Sequence, residues 1–210
     1  MPKNVINLGL DVDGVLLDYI SGFFSYLPSV GIYPACKPDE VDNFDFRCAF
    51  PGKERPEIKK LITDFSVTEG FGRLPAYNGA VEAVNRIKSH FGDQLRIIAI
   101  TSAGTSDETL RLRKQNLELF PFDEVNVLPL AGDKTEQLAK LGAYSLFVDD
   151  LLSNVNAAQS VGVRGVLFRQ LYNAMDYHDL AIDSWNEEGF NTVFNALLEI
   201  SNNINLRIAS

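Results

Sequence analysis

Acidic, hydroxylic and basic side chains gather at a few points of the chain, most of them where an apolar run ends. Asp11 and Asp13 follow the run Val5 to Leu10, and Thr101 and Ser102 follow Leu95 to Ile100. Lys134 opens a helical pattern, and Asp149 and Asp150 close the run Ser145 to Val148. Two aspartates at i and i+2 face one side of a continuing strand, or fan around one point if the chain turns. Either way two carboxylates come together, which is costly unless positive charge stands nearby. With two histidines and two cysteines in the whole chain, the candidate ligands are hard oxygens, which suit Mg²⁺. Lys134 supplies a fixed positive charge. Thr101 or Ser102 supplies a hydroxyl, and the turn around them backbone N–H groups. Such donors around a cation hold a phosphate and stabilise oxygen charge during its transfer, and a carboxylate can itself be the nucleophile. Taken singly, each residue is an ordinary loop, cap or solvated helix position. Their joint occurrence at successive strand ends points to chemistry.

The elements that must position these residues alternate in type. Val5–Leu10, Leu95–Ile100, Glu124–Leu128, Ser145–Val148 and Gly165–Phe168 read as strands, apolar and bounded by turn residues. Helical spacing marks Asn78–His90, Asp107–Leu119, a helix from about Asp133 to Leu141 ended by Gly142, Ser153–Ser160 and Phe190–Ser201. Strands alternating with helices predict an α/β fold, a Rossmann-like three-layer sandwich with a parallel sheet covered on both faces. Ligands of such sheets bind beyond the carboxyl ends of the strands, near a switch in strand order, where the polar residues above fall. Between the first two strands the pattern is irregular. A helix from Tyr19 to Leu27 is limited by Pro28 and Pro34, Glu57–Asp64 is a second helix, and aromatics are frequent. A small, mostly helical insertion is expected here.

Asp11-Val-Asp-Gly-Val-Leu, Thr101-Ser102, Lys134 and Phe147-Val-Asp-Asp150 together resemble the four motifs of the haloacid dehalogenase-like (HAD) superfamily, over most of the chain. The resemblance implies a HAD-like core of residues 1–16 and 75–210, with 17–74 as a small helical cap. It implies a Mg²⁺-dependent phosphatase in which Asp11 is the nucleophile and forms an aspartyl-phosphate. Asp13 is then the general acid for the leaving oxygen and the base for the hydrolytic water. Thr101, with Ser102 assisting, binds the phosphoryl group, and Lys134 steadies Asp11 and the phosphate. The metal is held by Asp11, the backbone carbonyl of Asp13 and Asp149, with Asp150 in the outer shell. Dehalogenases of the superfamily lack the second aspartate, whereas phosphatases and phosphomutases have it.

Within the superfamily the chain is most similar to the 5'(3')-deoxyribonucleotidases, through the first motif extended to Asp18, Leu74-Pro-Ala-Tyr-Asn-Gly-Ala-Val-Glu-Ala83, Asp133-Lys-Thr135 and Ser184-Trp185. This implies a nucleoside monophosphate substrate, with Tyr19, Phe44 and Phe46 as the aromatics that enclose the base; stacking of that kind contributes roughly 1–3 kcal/mol per base. The other reading of Phe44, Phe46 and Phe71 is packing of the insertion's own core. A basic residue often found two places before the motif lysine is Gly132 here, and Arg113 or Lys114 is the nearest replacement. Sugar-phosphate and phosphoglycolate-type phosphatases, phosphomutases and a non-catalytic binding protein on the same fold are the alternatives.

The composition is that of an ordinary soluble globular chain. The 210 residues are 46% hydrophobic and 22% charged, enough apolar content for a core without disulfide staples. A net charge of -9 weighs against partners such as nucleic acid polymers or anionic membranes. Cys36 and Cys48 form no CxxC unit and are expected as free thiols, although pairing between them is allowed. Asp11 and Asp13 interrupt what would have to be a signal-peptide core, and no run approaches the roughly 20 apolar residues needed to span a bilayer, so neither a signal peptide nor a membrane span is expected. The expected location is the cytoplasm, and a homodimer is compatible with the family likeness.

Overall fold

The structure, a computed structural model, describes residues 5–209. Six parallel strands form one sheet: β1 (Ile6–Leu10), β2 (Leu95–Thr101), β3 (Glu124–Val127), β4 (Ser145–Asp149), β5 (Arg164–Phe168) and β6 (Ala181–Ile182). Their order across the sheet is β3-β2-β1-β4-β5-β6. The chain builds outward from β1 in one direction, then returns and builds outward in the other. The reversal lies between β1 and β4, which opens a crevice at their carboxyl ends.

Side chains alternate across the sheet, and the two faces pack against different helices. Ile98, Ile100 and Phe147 join Leu138 and Leu141 of α5 (Thr135–Leu141) and Ala158 of α6 (Leu152–Ser160) in one apolar layer. Leu8, Leu10, Ile97, Ala99, Leu146 and Val148 join the larger core, together with α3 (Ala80–Phe91) and α7 (Glu187–Ala209). The predicted three-layer α/β sandwich is therefore present. Two features exceed the sequence-based reading. A two-residue sixth strand extends the sheet by pairing with β5, and α7 runs well beyond the expected Phe190–Ser201 in both directions.

The long connection from β1 to α3 is helical only in part, where a mostly helical insertion was expected, and irregular chain joins its helices. It contains α1 (Tyr19–Tyr26), α2 (Arg55–Phe65) and several 3-10 turns. Asp18 caps α1 by accepting from Ser21 N–H at 3.0 Å. Phe23, Phe46, Phe50 and Phe65 surround one another with ring centroids 5.4–6.2 Å apart about Phe23, an aromatic core of the segment's own. Its end is tied to α4 (Asp107–Asn116) by Asn116, whose side chain donates to Phe71 O at 2.6 Å and accepts from Leu74 N–H at 3.2 Å. Cys36 and Cys48 are free thiols with Sγ atoms 3.9 Å apart. Among the described residues, no helix is long and apolar enough to cross a membrane.

The chain enters α3 through Gly79, whose φ of +82° suits glycine. A Cβ there would lie 2.4 Å from the carbonyl oxygen of Trp185, a backbone atom that cannot swing aside. Gly79→Ala is therefore expected to destabilise the fold by about 2 kcal/mol or more, measured by urea unfolding against the wild type.

Candidate active site

Parallel register sets the site. Leu10 pairs with Val148, and the Asp11 N–H donates to Val148 O at 2.9 Å. Asp11 and Asp149 thus emerge side by side at the ends of adjacent strands. Lys134, at the N-terminus of α5, reaches between them. Its Nζ lies 2.9 Å from Asp11 Oδ1 and 2.8 Å from Asp149 Oδ2, and all three residues are buried. The lysine comes from the connection after β3, two strands away from β1, so only the folded sheet unites the three.

Asp150 completes an acidic cluster: one carboxylate oxygen from each of Asp11, Asp149 and Asp150 lies within 4.8 Å of the others. Asn154 Nδ2 donates to both oxygens of Asp149, at 3.1 and 3.2 Å, and Leu151 N–H donates to Oδ1 at 2.8 Å. The Tyr172 hydroxyl donates to Asp150 Oδ2. Gly14, at φ +80°, leaves room for this contact; a Cβ there would come within 2.6 Å of both Asp150 Oδ2 and the Tyr172 oxygen. The glycine of Asp11-Val-Asp-Gly is thus demanded both by conformation and by space.

The electrostatics are under-compensated. Burial raises the Asp11 carboxyl above its ordinary range, against the pull of Lys134. Burial pushes Asp149 up to about 6, with Lys134 opposing the shift and Asp11 adding to it. Burial again, then the charges of Asp149 and Asp11, pushes Asp150 well up. Burial works against a charged Lys134, yet Asp11 and Asp149 outweigh it and hold its proton above the usual lysine range. Three buried carboxylates against one ammonium, with hard oxygens converging on one point, form a donor set able to hold a small divalent cation.

Thr101 ends β2 with its Oγ1 buried and without a protein partner. Ser102 does not offer a free hydroxyl: its Oγ donates to Gly132 O at 3.1 Å, fastening the β2 turn to the loop that carries Lys134. Asp13 lies beside the cluster rather than in it. Its Oδ2 accepts from Arg113 Nη2 at 2.5 Å, and its Oδ1 is buried and unpartnered. Of the aromatic candidates, Phe46 is buried among Phe23, Phe24 and Tyr19. Tyr19 stacks on Phe23 and keeps a buried, unpartnered hydroxyl. Phe44 is exposed, and its ring meets that of Tyr172 edge-on at 6.0 Å.

Four partners escaped the sequence-based reading in whole or part. Asn154 lies five residues past Asp149 in the same strand–turn–helix, a spacing that would have suggested it. Tyr172 and Gln170, whose Nε2 donates to Gly14 O at 2.7 Å, come from a 3-10 turn after β5, Leu171–Asn173 with Gln170 as its cap, which the sequence-based reading did not mark. Arg113 was weighed as a phosphate contact, but its guanidinium turns to Asp13.

Strand order and crossovers make this a Rossmann-like α/β fold, and solved HAD-superfamily hydrolases share it. Among solved structures of similar fold is a HAD-superfamily hydrolase of subfamily IA from Geobacter sulfurreducens, 16% identical with a TM-score of 0.58, over 93% of this chain and 98% of that one. CbbY from Rhodobacter sphaeroides, solved in complex with phosphate, is 17% identical with a TM-score of 0.55, over 87% of this chain and 96% of its own. A candidate beta-phosphoglucomutase from Bacteroides vulgatus is 16% identical with a TM-score of 0.56, over 94% and 90%. No family model and no curated protein matches the sequence.

Because the folded state takes up a proton on Asp149 near pH 6, while the unfolded chain does so near the ordinary value of 3.8, the metal-free protein should gain stability as the pH falls from 7 toward 5. Mg²⁺ should relieve the same repulsion, so it should raise the melting temperature most at pH 7 and above. Asp150→Asn should raise the metal-free melting temperature and diminish the response to Mg²⁺. Thermal melts at three pH values, with and without the ion, check all three.

Proposed function

We propose that this protein is a Mg²⁺-dependent phosphate monoester hydrolase that works through an aspartyl-phosphate on Asp11. The observation that carries this reading is the buried contact of Lys134 with both Asp11 and Asp149, with an unpartnered Thr101 hydroxyl at the end of the neighbouring strand β2. Val12 N–H donates to Asp11 Oδ1 at 2.7 Å. This bond and Lys134 both hold Oδ1, which orients the carboxylate and leaves Oδ2 as the attacking atom. Attack forms the Oδ2–P bond and breaks the bond from phosphorus to the ester oxygen. Asp13 protonates that oxygen, then takes a proton from the water that attacks the acyl-phosphate and frees Asp11. Lys134 and Thr101 bind the phosphoryl oxygens. Mg²⁺, held by Asp11 and Asp149 with Asp150 beside them, supplies positive charge against those oxygens when bound.

The substrate in this reading is a small phosphorylated metabolite, specifically a nucleoside monophosphate handled as by a 5'(3')-deoxyribonucleotidase. Residues 17–74 act as the cap, and the exposed Phe44 ring is the aromatic available to a base. Phe46 and Tyr19 serve the segment's own packing, so they support the base pocket from behind. The protein would act in the cytoplasm, as a monomer or homodimer.

Asp11→Asn should lower phosphatase turnover by at least about three orders of magnitude with the fold intact. Substantial Mg²⁺-dependent turnover by that variant would remove Asp11 as nucleophile. A panel of deoxy- and ribonucleoside 5'- and 3'-monophosphates, hexose phosphates and phosphoglycolate tests the substrate. Preference for deoxynucleotides supports the nucleotidase reading, and equal or better use of sugar phosphates replaces it.

A further inference from the structure

Arg113 is a fully buried charged side chain beside the site. It lies in the last turn of α4, a helix whose other charged residues face solvent. Its side chain is fully excluded from solvent, its guanidinium carbon lies 4.5 Å from the centre of the Phe71 ring, and Nη2 donates to Asp13 Oδ2 at 2.5 Å. Among the described residues, Nε and Nη1 have no partner. A buried guanidinium with idle N–H groups is a poor stabilising element, since each unmade hydrogen bond carries a desolvation cost. An apolar side chain of similar length would fill the same space against Phe71 more favourably. Stability does not explain an arginine here, whereas its contact with Asp13 does.

An arginine can only donate hydrogen bonds. Oδ2 of Asp13 must therefore remain the bare, accepting oxygen, and any proton carried by the carboxyl group sits on Oδ1. That oxygen is buried and has no other partner. We propose that Arg113 is the positioning residue of Asp13: it fixes the carboxylate by Oδ2 and dedicates Oδ1 to proton exchange with the leaving group and then with water. The proposal rests on the acid–base role given to Asp13 above. In the first step Oδ1 gives its proton to the ester oxygen as the P–O bond breaks. In the second it takes one proton from water as the water oxygen bonds to phosphorus and Asp11 is released, which restores the starting protonation. Arg113 donates throughout and exchanges no proton.

Leaving-group dependence separates this role from a packing role. An alkyl phosphate needs its leaving oxygen protonated, whereas p-nitrophenolate leaves without help. The quantity to compare is kcat/KM, which covers only the steps through phosphoenzyme formation. Arg113→Met should lower kcat/KM about 100-fold on the alkyl monophosphate that the wild type hydrolyses fastest, and far less on p-nitrophenyl phosphate. Its melting temperature should equal or exceed that of the wild type, because Asp13 is partly exposed and can rehydrate. Arg113→Lys, which keeps a donor, should recover part of the alkyl-phosphate activity and serves as the comparison if the methionine variant does not fold. Equal losses on both esters in either variant, or no loss on the alkyl ester, would overturn the proposal while leaving the phosphatase reading intact. A wild-type protein inactive on both esters with Mg²⁺ present would overturn that reading and the proposal with it.

Discussion

The site depends on one buried ammonium. Lys134 stands between Asp11 and Asp149 at hydrogen-bond distance from each, and among the described residues neither carboxylate has another cation paired with it. Removing the lysine charge would leave like charges facing one another in a medium that screens them poorly. The lysine is held by α5, whose apolar face packs under β1 and β4 through Leu138 and Leu141. Gly9 of β1 shows how close that packing is, since a Cβ there would meet Leu141 and Phe147 at 2.8 and 2.9 Å. The interaction that organises the acidic cluster is thus supported by the same contacts that close one face of the sheet.

A parallel sheet makes this arrangement repeatable from sequence. Every strand ends on the same side, so residues that follow β1, β2 and β4 share a rim whatever their separation in the chain. The order β3-β2-β1-β4-β5-β6 puts β1 at the centre, flanked by the strands that deliver Thr101 on one side and Asp149 on the other. The acidic pair after β1 therefore meets both a hydroxyl and a second acidic pair. An antiparallel sheet would have sent half of these residues to the opposite edge.

Much of this was legible because it depends on period and position. The apolar runs with acidic endings marked β1 and β4, helix spacing marked α3 and α5, and the strand-end rule gathered Asp11, Thr101, Lys134, Asp149 and Asp150. The unread parts depend on tertiary placement. Arg113 looks like any charged helix residue until α4 is packed against Phe71, and Tyr172 sits in a 3-10 turn that the sequence-based reading did not mark. β6 is only two residues long and owes its existence to pairing with β5 rather than to propensity. Phe44 and Phe46, two residues apart, divide between surface and core. Phe46 has a φ of +58°, so the chain does not alternate there as an extended segment would.

The distribution of unmet hydrogen bonds separates the working part of the rim from its scaffold. Asp149, Asn154, Ser102 and Tyr172 spend their polar atoms on Lys134, Asp150, one another or nearby backbone, and so hold geometry. Thr101 Oγ1, Asp13 Oδ1, Tyr19 Oη and two nitrogens of Arg113 are buried without partners. Orphaned polar atoms are disfavoured in a core, and five of them belong to four residues at or beside the acidic cluster. All four flank the boundary between the sheet and the segment inserted after β1. A fold that leaves such groups unsatisfied sacrifices stability where a polar ligand would restore it, which is the thermodynamic signature expected of a surface complementary to something other than itself.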